Sequence, residues 1–243
     1  MATFGQDEKA RGKQDFRLTG WHWYILILGP IVLGIGCNPI TTLSFLLQAP
    51  FGETRFPPAC QIAAKHKEVT VVILTSLAYR NDIRPEFLTV DRDLTDRLIQ
   101  QLRKRYEENR EKVNIVPFSK VNRYLAQQSD TSLLAKQEIG KHFHADYVIN
   151  LEINAISLYE KGSIGEQLFR GTADIEVTVI DVKQPQGEDP IFTRNYTCQY
   201  PENMPEFASS TTVGDFSSKF LGRLAWDLSK FFAGSSAQDK YDK

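Results

Sequence analysis

The sequence predicts an α/β (α+β) fold with one mixed sheet, helices packed against it, and the element order β-α-β-α-α-β-β-β-α. Three observations predict this class. Residues 69–77 form a nearly continuous β-branched run, which is typical of a strand covered on both faces. From Leu94 to Tyr106 apolar residues recur every four positions, which is helical spacing. From Tyr147 onward, three segments alternate apolar and polar residues, as half-buried strands do.

Between the first strand and the alternating segments, the sequence predicts three helices and one short strand. The first helix begins near Asp91, and it carries charges of both signs on the face opposite its leucines. These charges predict a solvated outer surface, with a basic binding face as the alternative. Residues 113–116 predict a short strand that a proline ends. Ser119 can cap a second helix, and a third helix runs to about His142.

The three alternating segments cover residues 147–155, 173–182 and 192–200. The turns between them are short and contain glycine, so we expect the segments to pair as an antiparallel meander. After two prolines, residues from about Val213 to Phe232 carry apolar side chains at helical spacing. They predict a helix that closes the domain.

The N-terminal region has the layout of a secretion signal. Residues 1–20 carry four positive side chains, and Trp21–Gly36 then runs without a formal charge if His22 is neutral. The apolar run ends at Cys37, with a small residue before it. Residues 33–37 resemble the lipobox of bacterial lipoproteins, although the leucine stands one place earlier than usual. In such proteins the Cys is lipidated and becomes the mature N-terminus.

Three interpretations of this region remain open: lipidation of Cys37, an uncleaved anchor that continues past Cys37, and a buried helix of a soluble protein. The positive flank should stay in the cytoplasm, so the first two interpretations place the domain in the periplasm, anchored to the membrane. We therefore divide the 243 residues into a signal peptide or anchor (1–37), a proline-containing linker (38–67), the α/β domain (68–233) and a polar, disordered tail (234–243).

Composition and motifs argue against several functions. The formal net charge is -1 and no segment of the domain is strongly basic, so we expect no nucleic-acid partner. The sequence has no phosphate-binding loop, nucleophile elbow or dinucleotide fingerprint, and no metal-ligand spacing. It therefore predicts no catalytic residues, no cofactor and no metal site.

Two groups of residues remain as candidates for chemistry. His142, His144 and Asp146 lie at one helix-to-strand junction and would form the site if the domain were an enzyme. On a helix, however, the two histidines would point about 200° apart. Cys60 and Cys198 could form a disulfide in an oxidising compartment, but Cys198 shares a strand face with aromatic residues, which favours a buried thiol.

Three runs resemble a known group of envelope proteins: residues 69–77 (VTVVILTSL), 113–128 (VNIVPFSKVNRYLAQQ) and 138–153 (EIGKHFHADYVINLEI). The group comprises the lipoproteins LpoB, PelC and CsgG and the N-terminal domain of TolB, which share an anticodon-binding-like α/β domain. Where the group tends to have Gly before its Ala-Asp-Tyr-Val turn, this sequence has His144.

The resemblance implies a non-catalytic envelope lipoprotein that acts through protein–protein contacts. Its partner would be a cell-wall synthesis complex or an export complex, for which the chain would be an accessory or regulator. Contacts between copies would instead make it a ring-forming scaffold of a secretion assembly. Neither implication follows from composition or spacing alone.

Overall fold

The computed structural model describes residues 55–63, 67–78, 87–127, 136–162, 168–185, 187–236 and 239. The chain separates into two units, residues 1–52 and 53–243, and all described residues belong to the second. The apolar run and Cys37 lie outside the described residues. Within the described ranges, no helix is both long enough and apolar enough to cross a bilayer.

The described residues form a mixed sheet and four helices, which confirms the predicted α/β class. The strands are β1 (Arg55–Phe56), β2 (Val69–Leu77), β3 (Val113–Ile115), β4 (Tyr147–Tyr159), β5 (Leu168–Asp181), β6 (Phe192–Tyr200), β7 (Glu206–Phe207) and β8 (Ser235–Ser236). The helices are α1 (Val90–Asn109), α2 (Phe118–Ala126), α3 (Lys136–His142) and α4 (Val213–Ser229).

The main sheet has the strand order β3-β2-β4-β5-β6, and β7 pairs with β5 outside this path. Strand β2 lies between β3 and β4 and is parallel to both, whereas β5 is antiparallel to both of its neighbours, β4 and β6. The expected meander is therefore present. Strands β4 and β5 are longer than predicted, because pairing continues past two register shifts in β4 as far as Tyr159 opposite Phe169.

One face of the sheet is covered by α1 and α4, and this side holds the larger core. Phe216 and Phe220 of α4 are fully buried there, as are Leu94, Leu98 and Leu102 of α1. Gly171 of β5 allows α4 to come this close, because a Cβ at that position would lie 2.4 Å from the ring of Phe220.

On the other face, α2 and α3 pack over a smaller apolar cluster that includes Val72, Val121 and Val148. Gly140 of α3 lies so close to the sheet that an added Cβ would meet the Val182 side chain at 2.5 Å. The remaining part of this face, over β4, β5 and β6, carries polar side chains instead.

Part of the expected linker packs on the domain. Residues 55–63 contain β1, which pairs with β8, and the amide of Cys60 donates a 2.8 Å hydrogen bond to the carbonyl of Phe231. Cys60 and Ile62 are buried in the larger core, where removal of their apolar side chains from water stabilises the contact. We refer to residues 55–63 and 231–236 together as the clasp.

The expected tail also makes contacts. Ser235 and Ser236 form β8, and the carboxylate of Asp239 accepts a hydrogen bond from the buried guanidinium of Arg105. A buried charge requires a partner, and the carboxylate of Asp239 meets this requirement for Arg105.

Candidate functional site

The helix-to-strand junction at the end of α3 does not bring His142, His144 and Asp146 together through any hydrogen bond or ion pair of the described residues. The imidazole of His142 stacks on Tyr124 of α2, with ring centroids 3.9 Å apart. Both histidines are exposed. Within the described ranges, no cluster of three His, Cys, Asp or Glu residues is placed to hold a metal ion.

Asp146 fixes the start of β4. One carboxylate oxygen accepts a 3.0 Å hydrogen bond from the amide of Thr70, and the other accepts one from the ammonium group of Lys183. The hydrogen bond from Lys183 is the main reason that the pKa of this carboxyl lies below its usual value. A carboxylate held in this way ties β2 and the end of β5 to the junction, so its role here is structural.

His144 adopts the left-handed backbone conformation, with a φ of 51°. This conformation ends α3, since the amide of Ala145 donates a 2.9 Å hydrogen bond to the carbonyl of Gly140. Residues with a Cβ are disfavoured there, which explains why glycine suits this position in the proteins that the junction resembles. The role of His144 at this junction is therefore to end the helix through its backbone conformation.

Cys60 and Cys198 are both free and buried, so the structure contains no disulfide between them. Cys60 lies in the clasp, and Cys198 faces the larger core from β6. Burial raises the pKa of each thiol, which disfavours the reactive thiolate. The position of Cys198 agrees with its interpretation as a buried thiol.

We refer to the polar part of the sheet on β4, β5 and β6, which no described helix covers, as the open face. Glu152 of β4 lies directly opposite Glu176 of β5 in the register, and Asp174 of β5 lies opposite Thr197 of β6. Lys136 is 3.9 Å from Glu152 and is the only cation that forms an ion pair with these acids within the described ranges. The open face therefore has an acidic centre.

A groove of about 450 Å³ lies between α1 and α2, beside β3 at the edge of the sheet. Arg92 and Arg103 of α1 and Arg123 of α2 line it. The sequence predicted Arg103 as part of a mixed-charge surface, and it did not single out Arg92. Their spacing of eleven positions, three helical turns, puts Arg92 and Arg103 on one stripe, and this was the signal available.

Comparisons with known proteins give matches to solved structures alone. No family model matches the chain, and no curated protein matches it. A lipoprotein from Neisseria meningitidis is 11% identical, with 66% of this chain and 94% of that chain covered and a TM-score of 0.38. The PelC dodecamer from Paraburkholderia phytofirmans is 10% identical, with 72% and 94% covered and a TM-score of 0.37.

The C-terminal domain of LpoB from Salmonella enterica is 13% identical, with 64% of this chain and 90% of that chain covered and a TM-score of 0.32. PelC and LpoB are members of the envelope group that residues 69–77, 113–128 and 138–153 resemble. Because every one of these TM-scores is below 0.5, the matches do not establish a common function.

Proposed function

We propose that this chain is a membrane-anchored, non-catalytic protein of the bacterial envelope that acts through protein–protein contacts. The observation that carries the proposal is the order of features along the chain. A positive segment, the uncharged run Trp21–Gly36 and Cys37 precede a domain of α/β fold. Lipid would hold the N-terminal region, and the domain would fold in the aqueous periplasm.

The clasp sets the length of the proposed tether. Because Arg55 and Phe56 are already paired with β8, only residues 38–54 remain between Cys37 and the domain. These residues span at most about 60 Å when fully extended. A partner must therefore present its contact surface within that distance of the membrane, plus the size of the domain itself.

The open face is the contact surface that we assign to a partner. Its strands carry exposed polar side chains such as Thr197 and Asn195, beside the acidic centre at Glu152 and Glu176. Two carboxylates placed directly opposite one another repel, and a basic surface on a partner would relieve that repulsion. The occupant proposed for this face is accordingly a basic patch of an envelope protein.

A second candidate is self-assembly, in which the basic surface belongs to another copy of the chain. The observation that favours it is the separation of charge. Acidic residues lie on the open face, while Arg92, Arg103 and Arg123 line the groove at the β3 edge. Contact between unlike surfaces of two copies would be heterologous, and it would close into a ring or continue as a filament.

Replacement of Cys37 by serine tests the anchor. If Cys37 carries lipid, Cys37→Ser should move the protein from the membrane fraction to the soluble periplasmic fraction, because no acyl chain then holds it. Mass spectrometry of the mature N-terminus is the direct measurement. Wild-type protein in the membrane with an intact N-terminus would show an uncleaved anchor, and full-length wild-type protein free in the cytosol would refute the proposal.

A photo-crosslinking residue at position 197 tests the contact surface in intact cells. We expect a crosslinked product from Thr197 on the open face and none from the matched site Lys104, which is exposed on α1. Glu176→Lys should abolish the product, whereas Glu108→Lys, with the same charge change on α1, should not. A product of twice the chain mass would indicate self-assembly, and a product insensitive to Glu176→Lys would refute recognition by a basic surface.

A further inference from the structure

The groove between α1 and α2 has the dimensions of a small-molecule site. Its α1 wall extends from Arg92 to Arg103, about 16 Å along the helix axis. Its volume of about 450 Å³ falls within the range of roughly 300–1,000 Å³ that is usual for ligand pockets. Ile99 and Phe118 contribute apolar surface, so the groove can also contact the uncharged part of a ligand.

The arginines of the groove have few partners. The side chains of Arg103 and Arg123 form no ion pair and no hydrogen bond with any residue that the structure describes. Arg92 lies 3.8 Å from Asp96, but both side chains are largely exposed, and such a pair is weak. By contrast, Arg105 on the same helix is buried and bonded to Ser229 and Asp239. The groove arginines are thus available to an external anion.

Neutral donors surround these charges. Gln100 of α1 and Asn122 of α2 both line the groove, and each has an amide group that can donate hydrogen bonds. Ser119 also lines it, in the first turn of α2. That helix has no side-chain cap, because Pro117 occupies the N-cap position, so its first amides add to the positive potential.

We propose that this groove binds a phosphate monoester. Three guanidinium groups and the carboxylate of Asp96 leave the lining with two excess positive charges. A phosphate monoester carries about 1.5 to 2 negative charges at pH 7, and its three terminal oxygens accept hydrogen bonds from arginine forks. The monoester matches both the charge and the donors better than a carboxylate does. This site is separate from the open face and does not depend on the proposed tether.

Such a group could come from a soluble sugar or polyol phosphate, or from the headgroup of a lipid such as phosphatidic acid. Both present the same terminal phosphate to the groove. Glycerol 3-phosphate is the probe for the shared chemistry, because it contains the phosphate and the short polyol that the two sources have in common.

The test uses the full-length chain in phosphatidylcholine nanodiscs, titrated with glycerol 3-phosphate by calorimetry. We expect saturable binding that weakens below about pH 6, where the phosphate loses its second charge, and no binding of glycerol. The double variant Arg103→Gln/Arg123→Gln should bind at least about tenfold more weakly, since two charge-assisted contacts are lost. The control Lys104→Gln/Lys120→Gln removes the same charge from the same two helices outside the groove, and it should stay within about twofold.

Nanodiscs that also contain phosphatidic acid distinguish the two sources. If the headgroup occupies the groove, these discs should weaken the apparent affinity for glycerol 3-phosphate, and the arginine double variant should remove that competition. If the affinity is unchanged, the ligand is a soluble phosphate. The proposal would be overturned if glycerol 3-phosphate gave no saturable binding, or if the control double variant lost as much affinity as the arginine double variant.

Discussion

The two faces of the sheet are built differently. The face under α1 and α4 is closed by large side chains such as Phe216 and Phe220, and the clasp seals its end. Among the described residues, α2 and α3 cover the opposite face over β2, β3, the beginning of β4 and the end of β5, and acidic side chains remain accessible on the open face. The closed face therefore supplies most of the apolar burial that stabilises the domain, whereas the opposite face is available for contacts.

Helix α1 shows the same contrast at the level of single residues. Arg105 is 4% exposed, donates a 2.7 Å hydrogen bond to Ser229 and pairs with Asp239. Arg103, two residues earlier, is exposed and lines the groove. One arginine is committed to the fold, whereas the other presents its guanidinium group to the groove.

The largest expected effect comes from breaking this contrast at Arg105. Arg105→Ala should lower the free energy of unfolding by about 2–4 kcal/mol, because it leaves Asp239 without its cation and removes a packed side chain. Arg103→Gln should change it by less than about 0.5 kcal/mol, as is usual for an exposed position. Chemical denaturation of the full chain in mild detergent measures both. Equal effects of the two variants would show that the contacts of Arg105 with Ser229 and Asp239 do not stabilise the domain.

An intermediate effect is expected at the α3 junction, on the less covered face. His144→Val should lower the free energy of unfolding by about 1–2 kcal/mol, because a β-branched residue is strained at a φ of 51°. His144→Gly relieves that strain but increases the freedom of the unfolded chain, so it should lie within about 1 kcal/mol of the wild type. The same denaturation experiment checks both variants. A valine variant as stable as the glycine variant would contradict a left-handed backbone at this position.

The periodic parts of the fold could be predicted from the sequence, because burial imposes a period on each element. The β-branched run of β2, the leucines of α1 and the alternation in β4 each gave the correct element. The clasp could not be predicted in this way. Residues 55–63 and 235–236 show no apolar period, and they pair with residues more than a hundred positions away, as Arg55 does with Ser236.

The candidate sites were harder to predict for a related reason. Asp146, His142 and His144 are close in sequence, which predicted a cluster. In the structure, however, Asp146 binds Thr70 and Lys183, and His142 stacks on Tyr124. The groove arginines come from two helices whose proximity only the tertiary structure reveals. Residue spacing within one helix or strand could be interpreted from the sequence, whereas contacts between different elements could not.

The smallest expected effect lies on the open face, where Glu152 and Glu176 are direct cross-strand neighbours of like charge. Glu176→Gln should raise the free energy of unfolding by a few tenths of a kcal/mol at low ionic strength, because it removes their repulsion. The gain should disappear in about 1 M salt, where charges are screened over roughly 3 Å. Denaturation at the two salt concentrations measures the difference.

Glu108→Gln is the matched control, since it removes one exposed carboxylate from α1 and should show no such salt-dependent gain. A stabilised Glu176→Gln variant that also lost its crosslink from position 197 would mean that the acidic pair lowers stability and favours contact with a partner. Such a pair would be retained for binding, as the open face requires. A Glu176→Gln variant that was destabilised at every salt concentration would instead show that Glu176 stabilises the fold. The open face would then not differ from the closed face in the way proposed.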